Sequence, residues 1–109
     1  MSDKIACMSL PDYQTVMLPL LKYLGDRDEH SVSDSIEAVS DEFTLSAEER
    51  LQLLPSGTST IIGNRVAWAR TYMKKAGLLE SPRRGFIRIT QRGLDILNKR
   101  PLRIEIVPA

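Results

Sequence analysis

Residues 58–90 read TSTIIGNRVAWARTYMKKAGLLESPRRGFIRIT, and a change of period inside them decides the fold. Ile62, Val66, Ala69, Met73 and Ala76 recur at helical spacing. At roughly 100° per residue they stay within one narrow sector, so residues 58–76 form the longest helix, with one apolar face. Gly77 closes it. Two short apolar runs follow, residues 78–81 and 86–89, on either side of the turn-forming Pro82-Arg83-Arg84-Gly85. The product is a helix followed by a β-hairpin with two arginines at its tip.

Upstream, Tyr13, Val16, Met17, Leu20 and Leu24 define a first helix over residues 11–24, with Gly25 as its stop. Pro19 lies inside it and removes a backbone donor, which predicts a kink or a late start. After a polar turn at residues 26–30, Val32, Ile36, Val39 and Phe43 mark a second helix, with Ser33 as N-cap and Ser31 as the competing choice. Ser46-x-x-Glu49 has capping-box spacing and opens a short third helix through Leu51 and Leu54, ended by Pro55-Ser56-Gly57. Beyond the hairpin, Thr90 caps a last helix through Gly93, Leu94 and Leu97, which Pro101 stops. Leu102, Ile104 and Ile106 then alternate with Arg103 and Glu105, as in a strand.

This order is mainly α with a small β-hairpin, an α+β chain. It is the order of a winged helix-turn-helix, the hairpin being the wing, with an extra short helix before the recognition helix. The plainer alternative is a small helical domain whose hairpin only covers the core. Residues 1–10 read as an N-terminal arm, 11–100 as the domain and 101–109 as the start of a linker.

A length of 109 residues, 42% of them hydrophobic, supports one domain around one core and leaves no room for a second catalytic lobe. With Cys7 as the sole cysteine and His30 as the sole histidine, a disulfide framework, a paired-thiolate zinc site and a histidine metal cluster are all excluded. The acids gather on the second and third helices without a basic or histidine partner at fixed spacing, and Gly57 and Gly63 do not form a phosphate loop with a lysine. No catalytic constellation and no cofactor are expected of this domain. Residues 1–10 contain no apolar run suited to a signal peptide or a membrane span, which points to a cytoplasmic protein with no membrane partner.

The net charge of +1 taken whole argues against a nucleic-acid partner. Divided after Leu54, the chain tells a different story. Residues 1–54 carry 4 basic residues against 11 acids, a net −7, and residues 55–109 carry 11 against 3, a net +8. Such asymmetry suggests an anionic partner for one face, and the long helix and the hairpin both lie in the basic half.

If the apolar sector of the long helix faces the core, Thr60, Asn64, Ala67, Thr71, Lys74 and Lys75 project outward, and Arg65 and Arg70 lie at its margins. Small polar and basic side chains suit the major groove, where Asn, Thr, Lys and Arg meet base edges and phosphates. Ser56, Gly57 and Thr58 precede the helix; free N–H groups there can hold a phosphate or merely cap the helix. Arg83, Arg84 and Arg88 on the hairpin are candidates for phosphate or minor-groove contact, against the reading of a solvated tip. Trp68 lies about 115° from the apolar centre and reads as a flank residue packed on the wing or another helix, with base stacking the lesser reading. Tyr72 is read the same way. Arg65 has two readings, a DNA contact or a pair with an acid of the first half.

Several blocks carry a family resemblance. Pro11-Asp12-Tyr13, Leu54-Pro55-Ser56-Gly57, Asn64-Arg65-Val66-Ala67-Trp68-Ala69-Arg70, Lys74-Lys75-Ala76-Gly77-Leu78, Ser81-Pro82-Arg83-Arg84-Gly85 and Ile89-Thr90-x-x-Gly93 resemble the N-terminal domain of Mrr restriction endonucleases over residues 11–100. The resemblance implies a winged-helix module, itself non-catalytic, that directs a C-terminal nuclease domain of a type IV enzyme to foreign, methylated double-stranded DNA. It points to Asn64, Arg65, Trp68 and Arg70 on the long helix and to Arg83, Arg84 and Gly85 on the wing. Some relatives carry basic residues just after the Ser-Gly pair, where this chain has Thr58, Ser59 and Thr60. The metal-binding acid and catalytic lysine motif of the nuclease is not in this chain, so a divalent metal is expected only with that domain. The other readings are a stand-alone winged-helix transcription regulator and a protein-interaction or dimerisation module. In the last, opposite charges dock a partner or form a homo-oligomer.

Overall fold

The computed structural model describes residues 10–102 and 104. The N-terminal arm with Cys7 lies outside them, as do Arg103, Glu105 and Ile106 of the expected last strand. The chain folds as helix α1 (Tyr13–Tyr23), a 3-10 turn (Leu24–Asp26), strand β1 (His30–Ser31), helix α2 (Val32–Glu42), helix α3 (Ala47–Leu51), helix α4 (Ile61–Lys75), strands β2 (Leu79–Glu80) and β3 (Phe86–Ile89), and helix α5 (Gln91–Asn98). It is an α-rich α+β domain of winged-helix type with one small antiparallel sheet, ordered β1-β3-β2.

The apolar stripe of α4 is buried as its spacing requires: Ile62, Val66, Ala69 and Met73 are all at most 1% exposed. They pack against Val16, Met17, Leu20 and Leu21 of α1, with Leu18, Leu24, Val39, Leu45, Leu78, Leu79, Ile87, Ile89 and Ile104 completing the core. Pro19 does not delay α1, which begins at Tyr13, where Asp12 accepts the N–H of Thr15 at 2.8 Å. The carbonyl that loses its donor to Pro19 belongs to Thr15, an exposed residue, so solvent can take the missing bond. Gly25 is not the stop either. It lies inside the 3-10 turn, and the reversal falls at Arg27, with φ +72°.

The polar turn contains an unforeseen strand. His30 and Ser31 pair with Ile87 and Phe86. Ser31, held extended by that pairing, caps α2 by accepting the N–H of Asp34 at 3.0 Å, so Ser33 is an exposed residue inside the helix and not its cap. The next backbone N–H, that of Val32, donates to Gly85 at 2.9 Å. The wing thus decides where α2 begins. Buried Ser35 and Ser40 satisfy their hydroxyls on the carbonyls of Ser31 and Ile36.

The capping box at Ser46 and Glu49 is formed in both directions. Its helix, however, ends at Leu51 and does not include Leu54. Gln52 turns extended, Ile61 N–H donates to Gln52, Leu54 N–H donates to Ser59, and Leu53 bridges Thr60. This narrow loop, with Gly57 at φ +73°, occupies what the spacing assigned to the first turn of the long helix. Helix α4 therefore starts at Ile61, with Thr60 capping Gly63 at 3.1 Å. At the chain's other end, Leu102 is 98% exposed and Ile104 4%. The two do not share the face that an alternating strand would give them, and neither has strand structure.

Thr90 joins three elements. Its hydroxyl donates to the Gly77 carbonyl at 2.5 Å and accepts the N–H of Gly93 at 3.1 Å, tying the end of α4 to the start of α5. Gly93 fits because it has no side chain. A Cβ there would collide with the Leu78 carbonyl and approach Ile89 Cγ1 to 2.6 Å. Gly93→Ala should destabilise the domain by about 2–3 kcal/mol through overpacking and lower the melting temperature by roughly 10 °C or more; thermal unfolding checks this.

The turn at Asp26 is sensitive to acid. Asp26 accepts a hydrogen bond from His30 Nε2 at 2.9 Å and another from the Asp28 N–H at 2.9 Å, and these hold its carboxyl below the usual 3.8. A depressed folded value contributes stability above the unfolded pKa and loses it as pH falls through the folded one. Asp26→Asn should therefore reduce the melting temperature at neutral pH and flatten its fall below about pH 4, as measured by melting across pH.

Candidate nucleic-acid interface

The outward side of α4 is built from the residues that the core leaves over. Asn64, Ala67 and Thr71 are half-buried, and Lys74 and Lys75 are exposed in the last turn. Thr71 gives its hydroxyl to the Ala67 carbonyl at 2.9 Å, and Thr60 uses its own as the helix cap. Neither is a free polar group. Asn64 has no side-chain bond among the described residues. At 15 residues the helix is about 22 Å long, enough to lie along a groove about 12 Å wide.

The ion pairs settle the charge. Arg50 is held by Glu37 and Asp41 at 3.3 and 2.9 Å, Arg83 by Glu29 at 3.0 Å, and Arg88 by Glu80 at 2.5 Å. No carboxylate pairs with Arg65, Arg70, Lys74 or Lys75 among the described residues. Of the two readings of Arg65, the pair with an acid of the first half is not formed among the described residues. The Nε atoms of Arg65 and Arg70 are in addition buried without a hydrogen-bond partner. Helix α4 therefore keeps all four of its cations unneutralised, whereas those of α3 and most of the wing are matched by acids.

On the wing the three arginines differ. Arg83 pairs with Glu29 and lies over the Phe86 ring, its guanidinium carbon 3.9 Å from the centroid. Arg88 is fixed alongside Glu80 in the opposing strand. Arg84, exposed beside Gly85, is unpaired among the described residues. In the loop before α4, Ser56 and Thr58 hydrogen-bond each other at 2.9 Å, and Gly57 stands in open space. Leu51 and Leu53, 73% and 54% exposed, flank this loop.

Trp68 finds its ring partner within its own helix. Its ring stacks on Tyr72 (5.8 Å, 26°), and Tyr72 in turn meets Tyr13 of α1 (5.2 Å, 34°). The indole is thus anchored at one side and 48% exposed at the other. Two contacts at the wing base carried no sequence signal. They are the Glu29–Arg83 pair, 54 residues apart in the chain, and the Tyr23–His30 ring contact at 4.5 Å. Burial, then the Asp34 and Asp26 carboxylates, push the Tyr23 phenol above its ordinary value. Among the described residues there is no group of three or more His, Cys, Asp or Glu able to hold a metal, and no helix long and apolar enough to cross a membrane.

Comparison with known proteins adds three findings. The family model described as Mrr N-terminal domain matches residues 13–99. The type IV methyl-directed restriction enzyme EcoKMrr of Escherichia coli (strain K12) is 32% identical over 95 residues, which cover 86% of this chain and 31% of that protein. The chain thus spans less than a third of the length of this curated relative. No solved structure matches it.

The unequal wing arginines separate by stability. Arg83→Ala removes a cation–π contact and an exposed ion pair and should destabilise the domain by about 1 kcal/mol. Arg84→Ala should leave the melting temperature unchanged, so melting the two variants side by side tests the assignment.

Proposed function

The chain belongs to the Mrr N-terminal domain family, and from that premise we propose that it is the DNA-binding, target-recognition domain of a type IV, modification-directed restriction endonuclease. Its partner on this reading is double-stranded DNA, methylated in the preferred target. Recognition is this chain's share; metal-dependent hydrolysis belongs to the nuclease part of such an enzyme. The observation that carries the reading is the set of α4 cations, Arg65, Arg70, Lys74 and Lys75, none of which has a carboxylate partner among the described residues, whereas Arg50 of α3 is paired with Glu37 and Asp41.

Helix α4 enters the major groove, with Asn64 and Thr71 toward base edges and Lys74 and Lys75 toward phosphates. Arg65 and Arg70, at the margins, reach the two groove walls. The wing contributes Arg84 directly. Arg83 and Arg88 act through their acids, holding the hairpin in shape, and reach phosphate only by giving up those pairs. Ser56, Gly57 and Thr58 offer backbone N–H groups at the helix entrance, a lesser contact. The acidic α2 and α3 face away from the duplex.

Duplex binding followed by anisotropy at several salt concentrations tests this. With about five phosphates neutralised, the slope of log K against log salt should be about −4.5. Arg84→Ala and Lys75→Ala should each reduce that slope by about 1. Binding that ignores salt, or none at low salt, would sink the proposal.

A further inference from the structure

We infer that Trp68 is a specificity-determining residue, reading by apolar contact a methyl group that projects from a base edge into the major groove. The inference rests on the DNA-binding reading of α4 and adds the residue that tells one duplex from another.

Asn64, Trp68, Thr71 and Lys75 stand at i, i+4, i+7 and i+11, one stripe along the side of α4 turned from the core. Trp68 is the large apolar member of that stripe. Its neighbours do not make it polar: Ala67 is a methyl, and Thr71 has turned its hydroxyl onto the Ala67 carbonyl, leaving its own methyl for external contact. A patch of indole and methyl groups offers a base edge one donor, the indole N–H, and no acceptor, so most of its surface is apolar. What it complements in the major groove is the apolar feature that bases present there, a methyl substituent. Charge complementarity selects the occupant, since Lys75 lies next to the indole on the same stripe, Arg65, Arg70 and Lys74 of the same helix are also without a carboxylate partner among the described residues, and a polyanion is the partner they fit.

The ring is also preorganised. Trp68 stacks on Tyr72, and Tyr72 meets Tyr13 of α1 in a tilted ring contact; this support on one side means that little side-chain freedom is lost when a methyl group lands on the exposed part of the indole. That distinguishes Trp68 from Leu51 and Leu53, which are more exposed but have no comparable aromatic support.

Methyl groups on pyrimidine C5 and on adenine N6 share this chemistry, and the experiment separates them. One mixed-sequence duplex pool is prepared unmodified, with every cytosine methylated at C5, or with every adenine methylated at N6; thymine, common to all, sets the baseline. At least one methylated pool should bind about fourfold tighter than the unmodified one, the factor for burying one methyl. Trp68 is the sole tryptophan, so its emission reports directly and should shift, with reduced acrylamide quenching, more on that pool than on the unmodified one. Trp68→Ala should abolish the preference and keep the salt-dependent binding, and Trp68→Phe should retain part of it. If Trp68→Ala folds poorly, the emission of the unaltered chain decides alone. A preference that survives Trp68→Ala, or equal affinity and emission across all pools, overturns the inference and leaves the DNA-binding reading intact. A chain that binds no duplex at low salt overturns both.

Discussion

The packing of Ile62, Val66, Ala69 and Met73 against α1 sets every other geometric relation of the candidate interface. Four fully buried side chains on one stripe fix the rotation of α4 about its own axis. Once that rotation is fixed, the opposite stripe has no freedom about what it presents. Asn64, Trp68, Thr71 and Lys75 look outward because the core has claimed the other side, and Arg65 and Arg70 are carried to the margins. Ala69 matters here through its size: a small residue in the middle of the stripe lets the two helices approach closely.

Electrostatics then divides what packing has arranged. The first half of the chain has the acids and the second half the bases, yet they do not cancel across the molecule. Acids meet bases mainly where the fold requires a joint. Arg50 ties α3 back onto α2, Arg83 ties the wing to the loop before β1, and Arg88 ties β3 to β2. Each pair is partly exposed and worth little alone. Their larger effect is on the field, because they neutralise Arg50, Arg83 and Arg88 and leave the cations of α4 unbalanced. A near-neutral total is therefore compatible with a strongly one-sided surface.

Much of this was legible in the sequence, for reasons that can be named. The α4 stripe has a strict period, Gly77 sits where a positive φ is needed, and Ser46 with Glu49 forms a local motif whose partners are three residues apart. Local physics determined these. The start of α2 was not legible, because Ser31 and Ser33 are equivalent as caps until β1 pairs with β3 and holds Ser31 extended. The start of α4 was hidden for the same kind of reason. Its expected first turn is drawn into a loop closed by the Leu53–Thr60 bridge, and hairpin closure outweighs modest helix propensity at Thr58 and Ser59. The free or paired state of each arginine was likewise invisible, since Glu29 and Arg83 are remote in the chain and adjacent in space.

Those long-range joints bear on how such a domain would grip a duplex. Ser31 is at once the end of β1 and the cap of α2, Val32 donates to Gly85 in the wing turn, and Thr90 bonds to Gly77 at the end of α4. Wing, α2 and α4 are therefore linked by short hydrogen bonds into one body, and the wing cannot swing toward a groove without breaking the cap of a helix. The spacing between Arg84 and the cations of α4 is consequently a property of the fold and not an adjustable one. A duplex that meets both at once has to supply the adjustment itself, through groove width or bending, and the energy of that deformation depends on sequence. Selectivity in a domain of this kind would then have two sources, the side chains that α4 turns outward and the rigidity with which the wing is held beside them.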